Sequence, residues 1–162
     1  MTTGLDPSQI KTQVIEPVLT LFPARWNSPA AVNLLLGTML VESGGIYVRQ
    51  VGGGPALGVC QMEPATLQDC YDNFLDFAAN AQIAAAVRKL TVMGLDIVEQ
   101  LEGNLYYAFA MARVKYIRAP AALPEATDYV GLANYHKDYY NTALGATVVG
   151  QSQYLFQEAI AA

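Results

Sequence analysis

Glu42 is the residue whose position in the sequence points most clearly to chemistry. It follows Leu35 by seven residues and Met39 by three, so in a helix its carboxyl group continues a stripe of apolar side chains. Partial burial and the negative end of the helix dipole both disfavour a carboxylate anion at this position. A carboxyl group kept neutral can act as a general acid. The alternative interpretation is a last-turn glutamate whose side chain reaches water, as most glutamates do.

Several other polar residues could assist such an acid. Ser43 has no histidine base beside it in the sequence, so we expect it to cap the helix end or orient Glu42 rather than act as a nucleophile. Glu63 could serve as a second carboxylate for an attacking water, or it could favour the N-terminus of the helix that Pro64 opens. The single histidine, His136, lies on an amphipathic segment, where a histidine is usually structural.

A mostly α fold is predicted to position these residues. Apolar residues recur at spacings of three and four, whereas sustained alternation is nearly absent. The clearest helix begins at the Ser28 cap and ends at the Gly44-Gly45 pair. The glycine-rich segment 52–58 predicts a loop or a short irregular hairpin. Further helices are expected over residues 6–22 with a kink at Pro17, over 64–67, and over 74–93, 104–117, 128–140 and 147–160.

The composition indicates one domain over residues 1–162. Apolar residues make up 53% of the chain and charged residues 14%, which suits one hydrophobic core, and the length is too small for two ordinary domains. The net charge of −5 and the scattered basic residues argue against a nucleic-acid partner. No segment reaches the ~18 apolar residues of a membrane span. Residues 1–11 lack the pattern of a signal peptide, so we expect synthesis as a soluble cytoplasmic chain.

Cysteine and histidine counts limit the covalent and metal chemistry. We expect Cys60 and Cys70 to be free, buried thiols, because cytoplasmic synthesis keeps thiols reduced, with a Cys60–Cys70 bridge as the alternative. The single histidine leaves no recognisable zinc spacing. We therefore expect no metal site.

Two segments around Glu42 carry a family resemblance. The sequence Glu-Ser-Gly at residues 42–44, a glycine-bearing gap, and Gly-Val-Cys-Gln-Met-Glu-Pro-Ala-Thr at residues 58–66 resemble the signature of lytic transglycosylases and goose-type lysozymes. In that family a Glu-Ser pair ends a buried helix and a Gly-x-x-Gln-x-x-Pro-x-Thr-like stretch follows. The resemblance covers residues 32–66. A later stretch, residues 131–142, resembles the aromatic segment beside the substrate cleft of such enzymes and the Tyr-Tyr-Asn-Thr of small phage-encoded relatives.

The resemblance implies a lysozyme-like helical domain that cleaves peptidoglycan without metal or cofactor. Glu42 would protonate the oxygen that joins N-acetylmuramic acid to N-acetylglucosamine. The substrate's N-acetyl group would stabilise the sugar cation, and the 6-hydroxyl would attack to give a 1,6-anhydro product. Gln61 would contact an N-acetyl group, or it could be a turn residue at the surface. The other substrate-binding residues that the resemblance implies are Ser43, Tyr135, Tyr140 and Asn141, although tyrosines at helical spacing are often packing residues.

The sequence also departs from the family pattern. Cys60 stands where the family usually has a larger apolar residue, and the stretch 46–55 is short and nearly uncharged, which predicts a minimal upper wall for the cleft. The phage-like resemblance and the missing signal peptide favour a virion-associated enzyme that opens the wall locally, with release through a holin as the competing route. The alternative function is a virion structural or adaptor protein that keeps the fold and binds neighbouring virion proteins. A third is an inhibitor or wall-binding module.

Overall fold

The computed structural model describes residues 4–141 and 149–162, and these residues are mostly helical, so the predicted α class is confirmed. They contain no β-strand. Two isolated bridges, Arg49 to Leu57 and Leu57 to Met62, hold the glycine-rich loop together. None of the described helices has the length and apolar character needed to cross a bilayer.

The helices follow one another along the chain with short connections. The α-helices are α1 (Pro7–Ile10), α2 (Glu16–Thr20), α3 (Pro29–Glu42), α4 (Pro64–Cys70), α5 (Ala81–Lys89), α6 (Ile97–Gly103), α7 (Leu105–Ile117), α8 (Tyr129–Tyr139) and α9 (Val149–Ala161). The π-helical segment Lys11–Ile15 links α1 to α2, and a second one, Tyr71–Leu75, prolongs α4. Single 3₁₀ turns lie at Ala24–Trp26 and Ala78–Asn80.

A π-helical turn lies just before Pro17, the residue at which the sequence predicts a kink. Lys11–Ile15 connects α1 to α2 without a break. Because Pro17 has no N–H, the Gln13 carbonyl loses its usual helical donor. The Tyr106 hydroxyl of α7 donates to that carbonyl instead, at 3.3 Å. The freed backbone acceptor is therefore satisfied by a neighbouring helix.

The helix predicted over residues 74–93 is wrong in its boundaries. The π-helical extension of α4 ends at Leu75, and α5 covers only Ala81–Lys89. Between them the Asn80 side chain donates to the Phe74 carbonyl at 2.8 Å, a local bond that competes with helical pairing. Helix α6 was not predicted, although its first turn carries a capping box in which the Asp96 and Glu99 side chains both take part. Of the last predicted helix, residues 147 and 148 lie outside the described residues.

Helix α3 forms the centre of the fold. Every residue from Ala30 to Leu40 is buried, as expected of a helix that is surrounded by other elements. Most of α7 is buried as well, and α8 and α9 both pack against α3. The approach of α9 is closest at Gly37, where a Cβ would overlap the Phe156 ring. One hydrophobic cluster joins these helices into a common core.

We predict that Gly37→Ala lowers the free energy of unfolding by about 1–3 kcal/mol, because the added methyl group overpacks the contact between α3 and α9. Urea unfolding measures the change. Gly103→Ala is the matched control, since Gly103 is also helical and a Cβ there meets no atom within 4 Å. Adding Phe156→Leu to Gly37→Ala should restore part of the loss. Equal unfolding midpoints for Gly37→Ala and the wild type would contradict this packing of α9.

Candidate active site

The end of α3 and the glycine-rich loop meet at Ser43. Its hydroxyl donates to the Val59 carbonyl at 2.6 Å and accepts from the Gly45 N–H at 3.1 Å. Gly58 has a φ of +73°, and a Cβ there would overlap the Leu101 carbonyl of α6, so only glycine fits. The two segments that carry the family resemblance are therefore adjacent in the fold, and Ser43 joins them.

Gln61 belongs to a tight turn in the second of these segments. Its φ of 48° is uncommon for a residue other than glycine. Its backbone N–H, at 3.0 Å, and its side-chain amide, at 2.7 Å, both donate to the Gly58 carbonyl. One N–H of the side-chain amide is therefore engaged within the turn, and a contact with an N-acetyl group could use the amide oxygen or the second N–H.

Glu42 lies against the buried imidazole of His136. Glu42 Oε1 is 3.0 Å from His136 Nε2, and the two side chains are 18% and 1% exposed. The distance is that of a hydrogen bond, yet neither atom has a partner of acceptable hydrogen-bond geometry among the described residues. The carboxyl oxygen thus lies close to the ring nitrogen but away from the direction of an N–H bond. Glu42 is held near His136 without being locked to it.

A line of hydroxyl groups reaches His136 from its other side. The Thr38 hydroxyl donates to the Leu34 carbonyl at 2.8 Å, so its oxygen accepts the Tyr116 proton at 2.7 Å. The Tyr116 oxygen then accepts from His136 Nδ1 at 2.9 Å, since each hydroxyl has a single proton. A neutral imidazole protonated on Nδ1 has none on Nε2. The contact with Glu42 is then favourable only if one proton lies between the two groups.

The tyrosines predicted to bind sugar are packing residues in the structure. Tyr140 is 4% exposed, its ring stacks on His136 at 5.5 Å, and its hydroxyl donates to the Cys60 carbonyl at 2.8 Å. Tyr135 is 6% exposed and donates to the Ala121 carbonyl at 2.9 Å. Neither presents a ring face on which a sugar could stack. The prediction that these two tyrosines bind sugar is therefore corrected, because both side chains face the core.

Lys115 lies near both candidate carboxylates. Its Nζ donates to the Tyr140 carbonyl at 2.6 Å and lies 4.1 Å from the centre of that ring. Burial lowers the pKa of Lys115, and nearby Cys70, Glu42 and Glu63 oppose this shift. Glu63 is exposed at the N-cap position of α4 and makes no capping hydrogen bond. Both carboxyl groups are therefore within electrostatic reach of one cation, with Glu42 largely buried and Glu63 at the surface.

Asn141 adjoins the site through its backbone. Its N–H donates to the His136 carbonyl at 3.1 Å, just after the end of α8. Thr142, the last residue of the Tyr-Tyr-Asn-Thr sequence, lies outside the described residues. The structure therefore brings the Asn141 backbone to the His136 carbonyl.

Four residues around Glu42 had no predicted catalytic role. His136 was expected to be structural, and Thr38, Tyr116 and Lys115 were not singled out. One sequence signal was available, because Thr38 precedes Glu42 by four residues and therefore shares its helix face. The other three come from α7 and α8, and no local pattern connects those segments to α3.

Cavities open at several places on the described surface. One, of about 380 Å³, lies beside Lys11 and Asn33. Another, of about 370 Å³, is lined by Lys115 and Asp138. A further cavity, of about 270 Å³, lies around Arg113. Glu42 lines none of these three.

Searches against protein families, curated proteins and solved structures gave no match to this chain. The resemblance to transglycosylases therefore rests on the motif residues and on their adjacency around Glu42.

We predict that both thiols react slowly in the folded protein. Cys60 and Cys70 are free and buried, as the sequence predicts, and burial raises the pKa of each thiol. Because the thiolate is the reactive form, a pH rise through the ~8.5 of a free thiol should accelerate modification far less than for a free cysteine. An aromatic disulfide reagent followed by absorbance measures the rate. Two thiols should react at once in denaturant, and rapid modification of the folded protein would contradict their burial.

We also predict that His136 carries its proton on Nδ1 and donates it to Tyr116. His136 is the only histidine of the chain, so its ring nitrogens give unambiguous NMR signals. Tyr116→Phe removes the acceptor and should shift the Nδ1 resonance, whereas Glu42→Gln should mainly shift Nε2. Tyr154→Phe, at an exposed position of α9, is the control and should move neither. An unprotonated Nδ1 in the wild type would contradict the order of donors along the hydroxyl line.

Proposed function

We propose that this chain cleaves the glycan strands of peptidoglycan with Glu42 as the general acid, acting at the bacterial cell wall as a virion-associated lytic transglycosylase with a lysozyme-like fold. The observation that best supports the proposal is the contact of Glu42 with His136. A carboxyl group at the end of a buried helix, 3.0 Å from a buried imidazole, is a place where one proton can be stored. Cleavage of a glycosidic bond requires such a proton for the leaving oxygen.

The surroundings of Glu42 favour proton transfer to a substrate. One carboxyl oxygen, Oε1, is buried beside His136, whereas the Glu42 side chain as a whole is 18% exposed. The poor alignment with the imidazole leaves the carboxyl group free to rotate toward a sugar oxygen, as is common in sites without bound substrate. Tyr116 and Thr38 fix the imidazole from behind. His136 thus acts as a positioning residue, and Glu42 regains its proton from the 6-hydroxyl group of the substrate when that group attacks.

The transglycosylase reaction is preferred over hydrolysis because of Glu63. Hydrolysis with two carboxylates needs a second group held in place to activate water. Glu63 is exposed, and no hydrogen bond among the described residues orients it. The transglycosylase reaction instead uses the N-acetyl and 6-hydroxyl groups of the substrate, so it requires Glu42 alone from the protein.

A structural role in the virion is the second candidate, and one observation favours it. The loop after Glu42 exposes large apolar side chains: Ile46, Tyr47, Val48 and Val51 are each about half exposed or more. Contiguous exposed apolar residues of this kind mark surfaces that bind other proteins. In an adaptor protein this loop would bind a neighbouring subunit, and Glu42 would have no catalytic role.

We predict that Glu42→Gln lowers the rate of peptidoglycan cleavage by roughly 10²–10⁴ and keeps the fold, because the amide has the shape of the carboxyl group but cannot give up a proton. Clearing of purified peptidoglycan measures the rate, and urea unfolding checks the fold. Glu63→Gln is the matched control and should retain most of the activity. Mass analysis of the muropeptides should find 1,6-anhydro ends.

Each other result points elsewhere. Equal clearing by Glu42→Gln and the wild type would contradict the assignment of Glu42. Reducing ends together with an inactive Glu63→Gln variant would indicate a hydrolase with two carboxylates. No clearing by folded wild-type protein would favour the structural role.

A further inference from the structure

Arg113 is a buried charge without an acidic partner. It lies on α7 and is 2% exposed. Its Nε donates to the Trp26 carbonyl at 3.0 Å, and its guanidinium carbon lies 5.7 Å from the centre of the Trp26 ring. Among the described residues no carboxylate forms an ion pair with it. A buried charge in this state is costly, and the neutral partners present offset only part of that cost.

A cavity adjoins this guanidinium. Its volume is about 270 Å³, and Arg113, Arg25 and Trp26 line it together with apolar side chains such as Ile117 and Leu123. The indole Nε1 of Trp26 is buried and has no hydrogen-bond partner among the described residues. The walls therefore combine two cations with an apolar surface. No acidic side chain lines this cavity.

We propose that this cavity binds a small organic carboxylate, held by the Arg113 guanidinium. The planar fork of an arginine matches the two oxygens of a carboxylate and binds them in parallel. The apolar walls can contact the hydrocarbon part of the acid. A fully hydrated inorganic anion has no such part. The volume is that of about nine water molecules at about 30 Å³ each, which suits a small organic acid and is too small for a glycan strand.

The burial of Arg113 explains why the site should select for charge. Burial lowers the pKa of Arg113 to about 10, so the guanidinium remains cationic near neutral pH in an environment that favours a counter-charge. A carboxylate ligand supplies that charge where the protein does not. A neutral amide of the same shape would leave the cation unpaired and should bind far more weakly. This proposal does not depend on catalysis by Glu42.

Trp26 makes the test direct, because it is the only tryptophan of the chain. Its fluorescence and its single indole N–H resonance in NMR both report on this cavity. Benzoate and benzamide, added at matched ionic strength, are the probes. We expect benzoate to give a saturable change in both signals and to raise the melting temperature, since a ligand that binds only the folded state stabilises it. Benzamide should give neither effect.

Variants of Arg113 locate the site. Arg113→Lys keeps the charge but loses the fork, and should weaken benzoate binding roughly tenfold or more. Arg113→Met should abolish binding. If the Met variant does not fold, the wild-type and Lys titrations still decide the outcome. Arg88→Met, on α5 and outside the cavity lining, is the control and should bind benzoate like the wild type.

Four results would overturn the proposal. One is the absence of a saturable change with benzoate, and another is an equal response to benzamide. The third is unchanged benzoate affinity in Arg113→Lys. An equal response to inorganic phosphate would show a general anion site and would overturn the assignment to an organic carboxylate.

Discussion

His136 lies at the centre of a constraint that organises the whole structure. An imidazole that is almost fully buried needs partners for its polar atoms, because an unpaired buried group costs about 1–3 kcal/mol. Thr38 and Glu42 come from α3, Tyr116 from α7 and His136 from α8. The polar line therefore forms in only one register of the three helices. Apolar packing alone would tolerate small sliding between them, whereas this line does not.

Much of the fold could be predicted from spacing and caps. The bounds of α3 and α7 follow from Ser28 and Asn104, whose side chains accept from backbone N–H groups of the first turn. The break between the π-helical extension of α4 and the start of α5 could not be predicted, because it depends on one side-chain bond from Asn80 rather than on glycine or proline. Helix α6 was not predicted because it is short. Its capping box is present in the sequence, but no long apolar repeat follows it.

The site was only partly predictable, for a physical reason that the tyrosines illustrate. Local spacing places Glu42 at the end of a buried helix, and the Ser43 hydroxyl joins that end to the Val59 carbonyl. Spacing along α8 cannot say which helix face meets the core. Tyr135 and Tyr140 have the same polar handle whether they face a sugar or a backbone carbonyl, and here both hydroxyls bind carbonyls. Contacts between distant helices, such as Tyr116 with His136, leave no trace in a single sequence.

The position of Phe156 also bears on the order in which the helices pack. Its ring lies 5.7 Å from the His136 ring and covers the core beside Gly37. A ribosome makes α9 after α3, α7 and α8, so these three helices can meet before this cover exists. Without it the imidazole at their junction is open to water, and its hydroxyl partners compete with solvent. Dehydration of the junction is therefore complete only when α9 has packed.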